Sequence, residues 1–395
     1  MISKIKFKNF KLFKDWQTLE IKPITILIGK NNTGKTAVLK LPTMLGDSLK
    51  GKINEALKLE SGGVKIGSEY RDLVYNRRIF PGEYLRFEIS NSEDDSTFGL
   101  LKVAVKLPTN MIKDKSEIEE WTYFENDKVL FTKEEESLFQ GFVRENNVIE
   151  DIQLNYDYIE ALRVKPEEEY TFKNEEFTKI GLRGENAYSI LINDYNNEKE
   201  ICNAVSSWYK SNFENWSFEI QDHQIPGSSN LKYRFTLKNN NIEPVNIVNT
   251  GQGITQVLPL ITRSFMKEIE PTLIIIEEPE SHLHPAAHGN LAQRFVESFL
   301  EDNNKRYLVE THSENFILRL QNLIADPDFH FTPDDLQIYY VDYDENNQIS
   351  TLKPIVIEED GEIEDWPDNV FNESIDEVYK LRRNQKKRKT DASKN

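Results

Sequence analysis

Residues 24–41 read ITILIGKNNTGKTAVLKL. The opening run, Ile24-Thr25-Ile26-Leu27-Ile28, is almost wholly apolar, the pattern of a strand buried on both faces. It leads directly into Gly29-Lys30-Asn31-Asn32-Thr33-Gly34-Lys35-Thr36, which fits the spacing G-x-x-x-x-G-K-[ST]. Two glycines let the backbone turn tightly enough for successive N–H groups to face phosphate oxygens. A helix predicted to begin near Lys35 adds the positive end of its dipole. The motif implies ATP and Mg²⁺: Lys35 reaches the β- and γ-phosphates, the Thr36 hydroxyl sits on the metal, and Ala37 completes the cradle.

A second buried run, Leu273-Ile274-Ile275-Ile276, ends in Glu277-Glu278. Two carboxylates at the carboxyl end of a central strand stand where open α/β sheets bind their ligands. Glu277 is expected to hold the Mg²⁺ shell through water, and Glu278 to polarise an attacking water.

Around these two runs the pattern is mixed. Residues 2–23 read as two strands, and a helix after Thr36 is expected to bend or break at Pro42, with a second helical stretch from Leu45 to Leu59. Alternation around Tyr84 to Ile89 and Phe98 to Leu107 predicts antiparallel strands. The charged span 110–149 reads as a solvated excursion with one strand pair, Trp121 to Phe131, and a short helix. Strand 155–162, a Gly-punctuated loop and then a helix within 180–195, a second helix at 198–211, and a hairpin about Pro226-Gly227-Ser228-Ser229 follow. From Asn249 onward a helix, strand 272–276, helix 286–302, strand 306–310, helix 313–324 and strand 336–342 alternate, which predicts a parallel sheet.

The 395 residues are 38% hydrophobic, enough for a large core, and no apolar run is long enough to span a bilayer. No secretory h-region opens the chain, so a cytoplasmic place is expected, with no membrane partner. The single cysteine, Cys202, rules out an internal disulfide framework and reads as a small buried hydrophobe. A net charge of −18 argues against a surface made to wrap DNA. From Lys380 onward, eight basic residues and one acidic give +7, leaving −25 for the rest. This tail reads as a solvated end, with a nucleic-acid or partner arm as the other reading.

The segments NTGQGITQVLP (249–259), IIIEEPESHLHP (274–285) and VETHSENFILRL (309–320) resemble the ABC-type ATPase heads of the chromosome-maintenance (SMC), double-strand-break-repair and overcoming-lysogenisation-defect (OLD) families. IKFKNFKLF near the start, YIEALRVKP, GLRGENA and DWPDNVF extend the likeness over most of the chain. It is most similar to the OLD-like AAA-family ATPases of bacteria and phages, in the short stand-alone branch often found in phage-defence operons. The resemblance implies an α/β fold: a P-loop NTPase of ABC-ATPase head type with a mostly parallel central sheet, an antiparallel β subdomain and a helical lobe that bears the signature. It implies one head over residues 1–379. Within it, 1–110 form the N-terminal β and P-loop lobe, 111–248 the charged excursion and a helical/β lobe, 249–357 the signature, Walker B and switch-histidine lobe, and 358–379 an acidic segment; a basic disordered tail follows at 380–395.

Carried over by residue, Asn249-Thr250-Gly251-Gln252-Gly253 matches the signature loop that caps the γ-phosphate held by the opposite subunit, so the resemblance implies a homodimer or higher homo-oligomer closed around ATP. Ser281 to Pro285 matches the D-loop region, and His312 the switch histidine, which contacts the γ-phosphate or the attacking water. Tyr70-Arg71-Asp72 is the candidate for the Q-loop, although no glutamine stands there. His282 and His284 lack a further ligand cluster that would make them a zinc pair. Asp342-Tyr343-Asp344 mimics the D-x-D metal motif of the Toprim nuclease carried by larger OLD proteins, but the chain left after it is too short for that fold, and the pair reads as a charged strand end. Two functions remain open. One is an ATPase that senses nucleic acid or phage components, or gates a separate effector protein; the other is a scaffold in which ATP is structural and turnover slow.

Overall fold

The computed structural model describes residues 2–385 apart from 92–98, 110–114, 135–136, 145–148, 150–151, 172–174, 225–230, 241, 364–365, 368–369 and 372–379. Its centre is a six-stranded sheet in the order Asn155–Ile159, Thr272–Glu277, Lys305–Glu310, Ile24–Ile28, Leu336–Asp344, Ile349–Ile355. The first five strands run parallel and the last, which the sequence pattern did not announce, runs antiparallel. This is the α/β head architecture expected.

The five residues of strand Ile24–Ile28 are all buried because both faces of the sheet are covered. Ile24, Ile26 and Ile28 face one core, shared with helices α2 (Ala187–Asn196), α3 (Glu200–Asn212), α4 (Gln252–Phe265), α5 (Pro285–Glu301) and α6 (Glu314–Ala325). Leu27 faces the other, shared with α1 (Lys35–Leu49). Beyond α1 lies a second six-stranded sheet, wholly antiparallel, in the order Gln17–Glu20, Lys4–Lys8, Leu85–Ser90, Gly99–Lys106, Glu117–Glu125, Lys128–Thr132. The span read as a solvated excursion thus extends this sheet and buries Trp121 and Tyr123, and its described residues hold no helix. The strands meet at Asn126 and Asp127, both at positive φ, the conformation of a two-residue primed turn.

One expectation fails at α1. The helix passes through Pro42 without a break, and residues 50–59, read as helical, are irregular. Pro42 removes one hydrogen bond at a cost of about 3 kcal/mol. Val38, Leu39, Leu41, Met44 and Leu45 are fully buried around it, and burying each contributes about 1.5–3 kcal/mol. The helix ends at Leu49, and Gly51 follows its Lys50 cap with φ 62, where an added Cβ would stand 3.0 Å from Val143.

Strands Ser217–Gln224 and Leu231–Asn239 form the expected hairpin, with Ile242–Asn246 added at its edge. Its turn about Pro226-Gly227-Ser228-Ser229 lies outside the described residues, as do residues 386–395 of the tail expected to be disordered, whereas residues 380–385 of that tail are helical. Cys202 is buried, as its lone occurrence suggested. Among the described residues no helix is long and apolar enough to cross a membrane.

Candidate functional site

Strand Ile24–Ile28 delivers the chain at Gly29, whose φ is 147 and whose added Cβ would stand 2.6 Å from the Val341 carbonyl. Gly34 has φ 102 and faces the Phe13 ring. Only glycine fits either place, so the octet folds as a tight loop closing on the N-terminus of α1. Thr33 Oγ1 donates to the Lys30 carbonyl at 2.9 Å, and Ser350 Oγ holds the Thr33 carbonyl at 2.7 Å from the last strand of the sheet. The buried Lys35 ammonium donates to the Gly29 and Lys30 carbonyls at 3.0 and 2.7 Å, spanning the concavity. Burial lowers its pKa against the pull of Glu310 and Glu278.

The loop forms one wall of an open cleft of about 580 Å³. Asn31, Asn32, Gly34, Lys35, Thr36 and Ala37 line it, and Glu278 and His312 come in from the ends of neighbouring strands. The structure therefore gathers the phosphate loop, the expected general base and the expected switch histidine at one place. Leu12 and Glu310 also line the cleft and were not expected there.

Glu278 adopts φ 37, a conformation costing about 1–3 kcal/mol in a non-glycine residue. Several bonds hold it: its N–H donates to the Glu310 carbonyl at 2.8 Å, and Ser281 Oγ donates to its Oε2 at 2.9 Å. Arg163 Nη2 donates to the carbonyls of Glu277 and Glu278 at 2.9 and 3.3 Å. Arg163 is itself clasped by the Gln256 side chain, whose Oε1 accepts from its N–H at 2.9 Å and whose Nε2 donates to its carbonyl at 3.1 Å. Gln256 lies on α4, one turn past Gly253, so the helix opened by the 249–253 loop is tied to the strand end that carries Glu278. Burial pulls Arg163 down to about 10, opposed by Glu280, Glu277 and Glu278.

Glu277 is placed differently from expectation. Its carboxylate takes the Tyr158 hydroxyl, a 3.4 Å contact from the Ala161 N–H, and Lys40 Nζ at 3.6 Å, and no bond joins it to Thr36. The Thr36 hydroxyl donates instead to Glu310 Oε2 at 2.8 Å, while Glu310 Oε1 lies 3.8 Å from Lys35 Nζ. Burial first, then the Glu277 and Glu278 carboxylates, push the Glu310 carboxyl up to about 7 against the pull of Thr36 and Lys35. Glu310 closes a buried strand just ahead of Thr311-His312-Ser313, the same topological place that drew attention to Glu277, and that was the available signal for it.

His312 lines the cleft and is exposed to solvent; partial desolvation and Lys35 lower its pKa, with Glu278 pulling the other way. Its backbone N–H donates to the buried Glu280 at 2.6 Å. His288 joins the segment after Glu278 to the switch region: Nε2 donates to the Leu283 carbonyl at 3.2 Å, which leaves Nδ1 to accept from Ser313 Oγ at 2.7 Å. His284 caps α5 through Ala286 N–H, a structural use of a residue whose spacing suggested metal. None of residues 249–253 lines the cleft. The loop packs beside His282 and Leu283, where a Cβ on Gly253 would stand 2.5 Å from the His282 carbonyl. Tyr70-Arg71-Asp72 also stays away from the cleft, in a 3₁₀ turn bonded to Glu55, Glu69 and Ser68. Asp342 pairs with Lys353 at 2.7 Å and Asp344 caps the turn at Asn346 and Asn347, as a charged strand end does.

A hydroxyl and carboxylate oxygens are hard donors of the kind Mg²⁺ takes, and that ion needs only one or two protein oxygens beside phosphate and water. No group of three His, Cys, Asp or Glu able to cage an ion occurs among the described residues.

The family profile described as AAA domain, putative AbiEii toxin, Type IV TA system, matches residues 24–319, and one described as protein of unknown function (DUF3696) matches residues 331–381. Among solved structures the chain is similar to an SMC head bound to the C-winged helix domain of ScpA, with 13% identity, a TM-score of 0.50, and 90% of this chain and 98% of that one covered. It is also similar to a Pyrococcus furiosus-derived head with an extended coiled coil bound to the C-terminal domain of ScpA (12%, TM-score 0.48, coverage 96% and 99%). The Thermotoga maritima SMC head domain gives 12%, a TM-score of 0.44, and coverage of 90% and 99%. No curated protein sequence matches.

Proposed function

The chain belongs to the AAA-domain family described as putative AbiEii toxin, Type IV TA system, and from that premise we propose that it is an Mg²⁺-dependent ATP hydrolase whose heads pair around nucleotide. The observation that carries the reading is the single cleft where Lys35, Thr36, Glu278 and His312 meet at the carboxyl ends of adjacent parallel strands.

Backbone N–H groups of residues 29–37 cradle the phosphates, and Lys35, already turned across the loop, neutralises charge on the β- and γ-phosphates. Thr36 would supply the hydroxyl that holds Mg²⁺, and the ion would neutralise charge on the phosphates. Glu278, fixed by Ser281 and Arg163, orients the attacking water and takes its proton. His312, with its pKa depressed, meets the γ-phosphate side as an uncharged imidazole at neutral pH. The 249–253 loop lies outside its own cleft and serves the nucleotide of the opposite protomer. The motif likeness supports placing the chain in the short OLD-like branch, acting in anti-phage defence by sensing nucleic acid or phage components or by gating a separate effector. The family's description as a putative toxin of a toxin–antitoxin system is in keeping with such a role.

Glu278→Gln should trap the sandwich. In sedimentation velocity the variant is expected to run as a dimer with ATP and Mg²⁺ and as a monomer with ADP. A monomer under every nucleotide condition would refute the paired-head reading.

A further inference from the structure

We propose that Glu310 is the carboxylate that serves the Thr36-bound Mg²⁺, in place of Glu277; this rests on the nucleotide reading above and assigns a residue of that same site. Strand order is the first argument. Lys305–Glu310 lies between the phosphate-loop strand and Thr272–Glu277. At about 4.8 Å per strand, Glu310 starts one spacing from the loop strand and Glu277 starts two, roughly 10 Å away. Glu277 and Glu310 are register partners, so both side chains leave the sheet on the same face and only the distance separates them.

Hydrogen bonding is the second argument. Glu277 Oε1 accepts from the Tyr158 hydroxyl and its Oε2 lies 3.4 Å from the Ala161 N–H, with Lys40 close by. Tyr158 is buried, so that anchor is shielded from water. Glu310 instead lines the cleft and accepts the Thr36 proton at 2.8 Å. A hydroxyl that donates to a carboxylate keeps its lone pairs free. With its proton fixed on Glu310, Thr36 Oγ1 therefore presents a lone pair to a cation, and the carboxylate adds negative charge beside it. Outer partners of this kind orient metal ligands and tune the metal. Glu310 is thus a positioning residue acting through Thr36, and Glu277 is a strand-end anchor for Tyr158.

The test measures Mn²⁺ affinity by electron paramagnetic resonance on the full chain with ADP, in wild type, Glu310→Gln and Glu277→Gln. Metal-free binding of fluorescent ADP shows that each variant keeps a formed loop. Glutamine can still accept from Thr36, so Glu310→Gln removes charge rather than shape. It should weaken Mn²⁺ binding roughly tenfold to hundredfold, and Glu277→Gln should weaken it less. Glu310→Asp, which restores the charge on a shorter arm, should recover affinity relative to Glu310→Gln; if the glutamine variant does not fold, Glu310→Asp beside Glu277→Asp carries the test, with the larger loss of Mn²⁺ affinity expected at Glu310 and equal losses overturning the assignment. Unchanged affinity in Glu310→Gln, or equal losses in the two glutamine variants, would overturn the assignment while leaving nucleotide binding in place. A wild-type chain that binds no ADP would sink the nucleotide reading and this proposal with it.

Discussion

Replacing Gln256 with leucine should open the clasp between α4 and Arg163, and its size follows from the two bonds lost. Gln256 accepts the Arg163 N–H at 2.9 Å and donates to its carbonyl at 3.1 Å, with both residues buried. Leucine leaves one backbone donor and one acceptor unpaired in the interior, at about 1–3 kcal/mol each. Against this, exchanging a buried amide for an apolar side chain returns about 1–2 kcal/mol. The net destabilisation is about 2 kcal/mol, an opening equilibrium about thirtyfold more favourable. Urea unfolding with an unchanged slope should show the loss, and amide exchange of a peptide containing Arg163 should speed up by a similar factor. ATP turnover should fall as well, because Arg163 holds the carbonyls of Glu277 and Glu278. A variant with native stability and native exchange at Arg163 would show that the clasp does not hold this segment, and would refute the reasoning.

Two further predictions concern two buried cations, Arg263 and Lys305. Arg263 is fully buried, with Nε 2.7 Å from Asp157 and Nη2 2.6 Å from Glu268; Arg263→Met strands both carboxylates and should cost about 3–5 kcal/mol in urea unfolding, whereas a loss under about 1 kcal/mol would mean that water reaches the pair. Lys305 is pulled from 10.5 down to about 8, by burial first and by Arg263 and Arg294, against Asp302. Between those values the unfolded chain holds the proton and the folded one does not, so stability should rise with pH across the window, by up to about 3 kcal/mol relative to Lys305→Met; parallel pH curves for the two proteins would contradict this.

Much of this architecture could be read from the chain. Runs such as Ile24 to Ile28 and Leu273 to Ile276 are apolar because both sheet faces are covered, so composition announced them as strands of a parallel sheet. Lys35, Thr36, Glu278 and His312 were found because glycine spacing, strand ends and helix starts are local features, and the structure brings the four to one cleft. What escaped depends on contacts distant in sequence. Glu310 reaches Thr36 across 274 positions, and Gln256 reaches Arg163 across 93. The strand order that favours Glu310 over Glu277 likewise exists only once the sheet is assembled. Pro42 misled for the opposite reason: a local rule was outweighed by the burial of α1 between the two sheets.

The central claim is hydrolysis with Glu278 as the general base, and steady-state ATP turnover of the wild-type chain beside Glu278→Gln tests it most directly. The account predicts measurable turnover that disappears in the variant while ATP binding persists. Equal turnover in the two proteins, or none in either, would contradict it and favour ATP as a structural ligand.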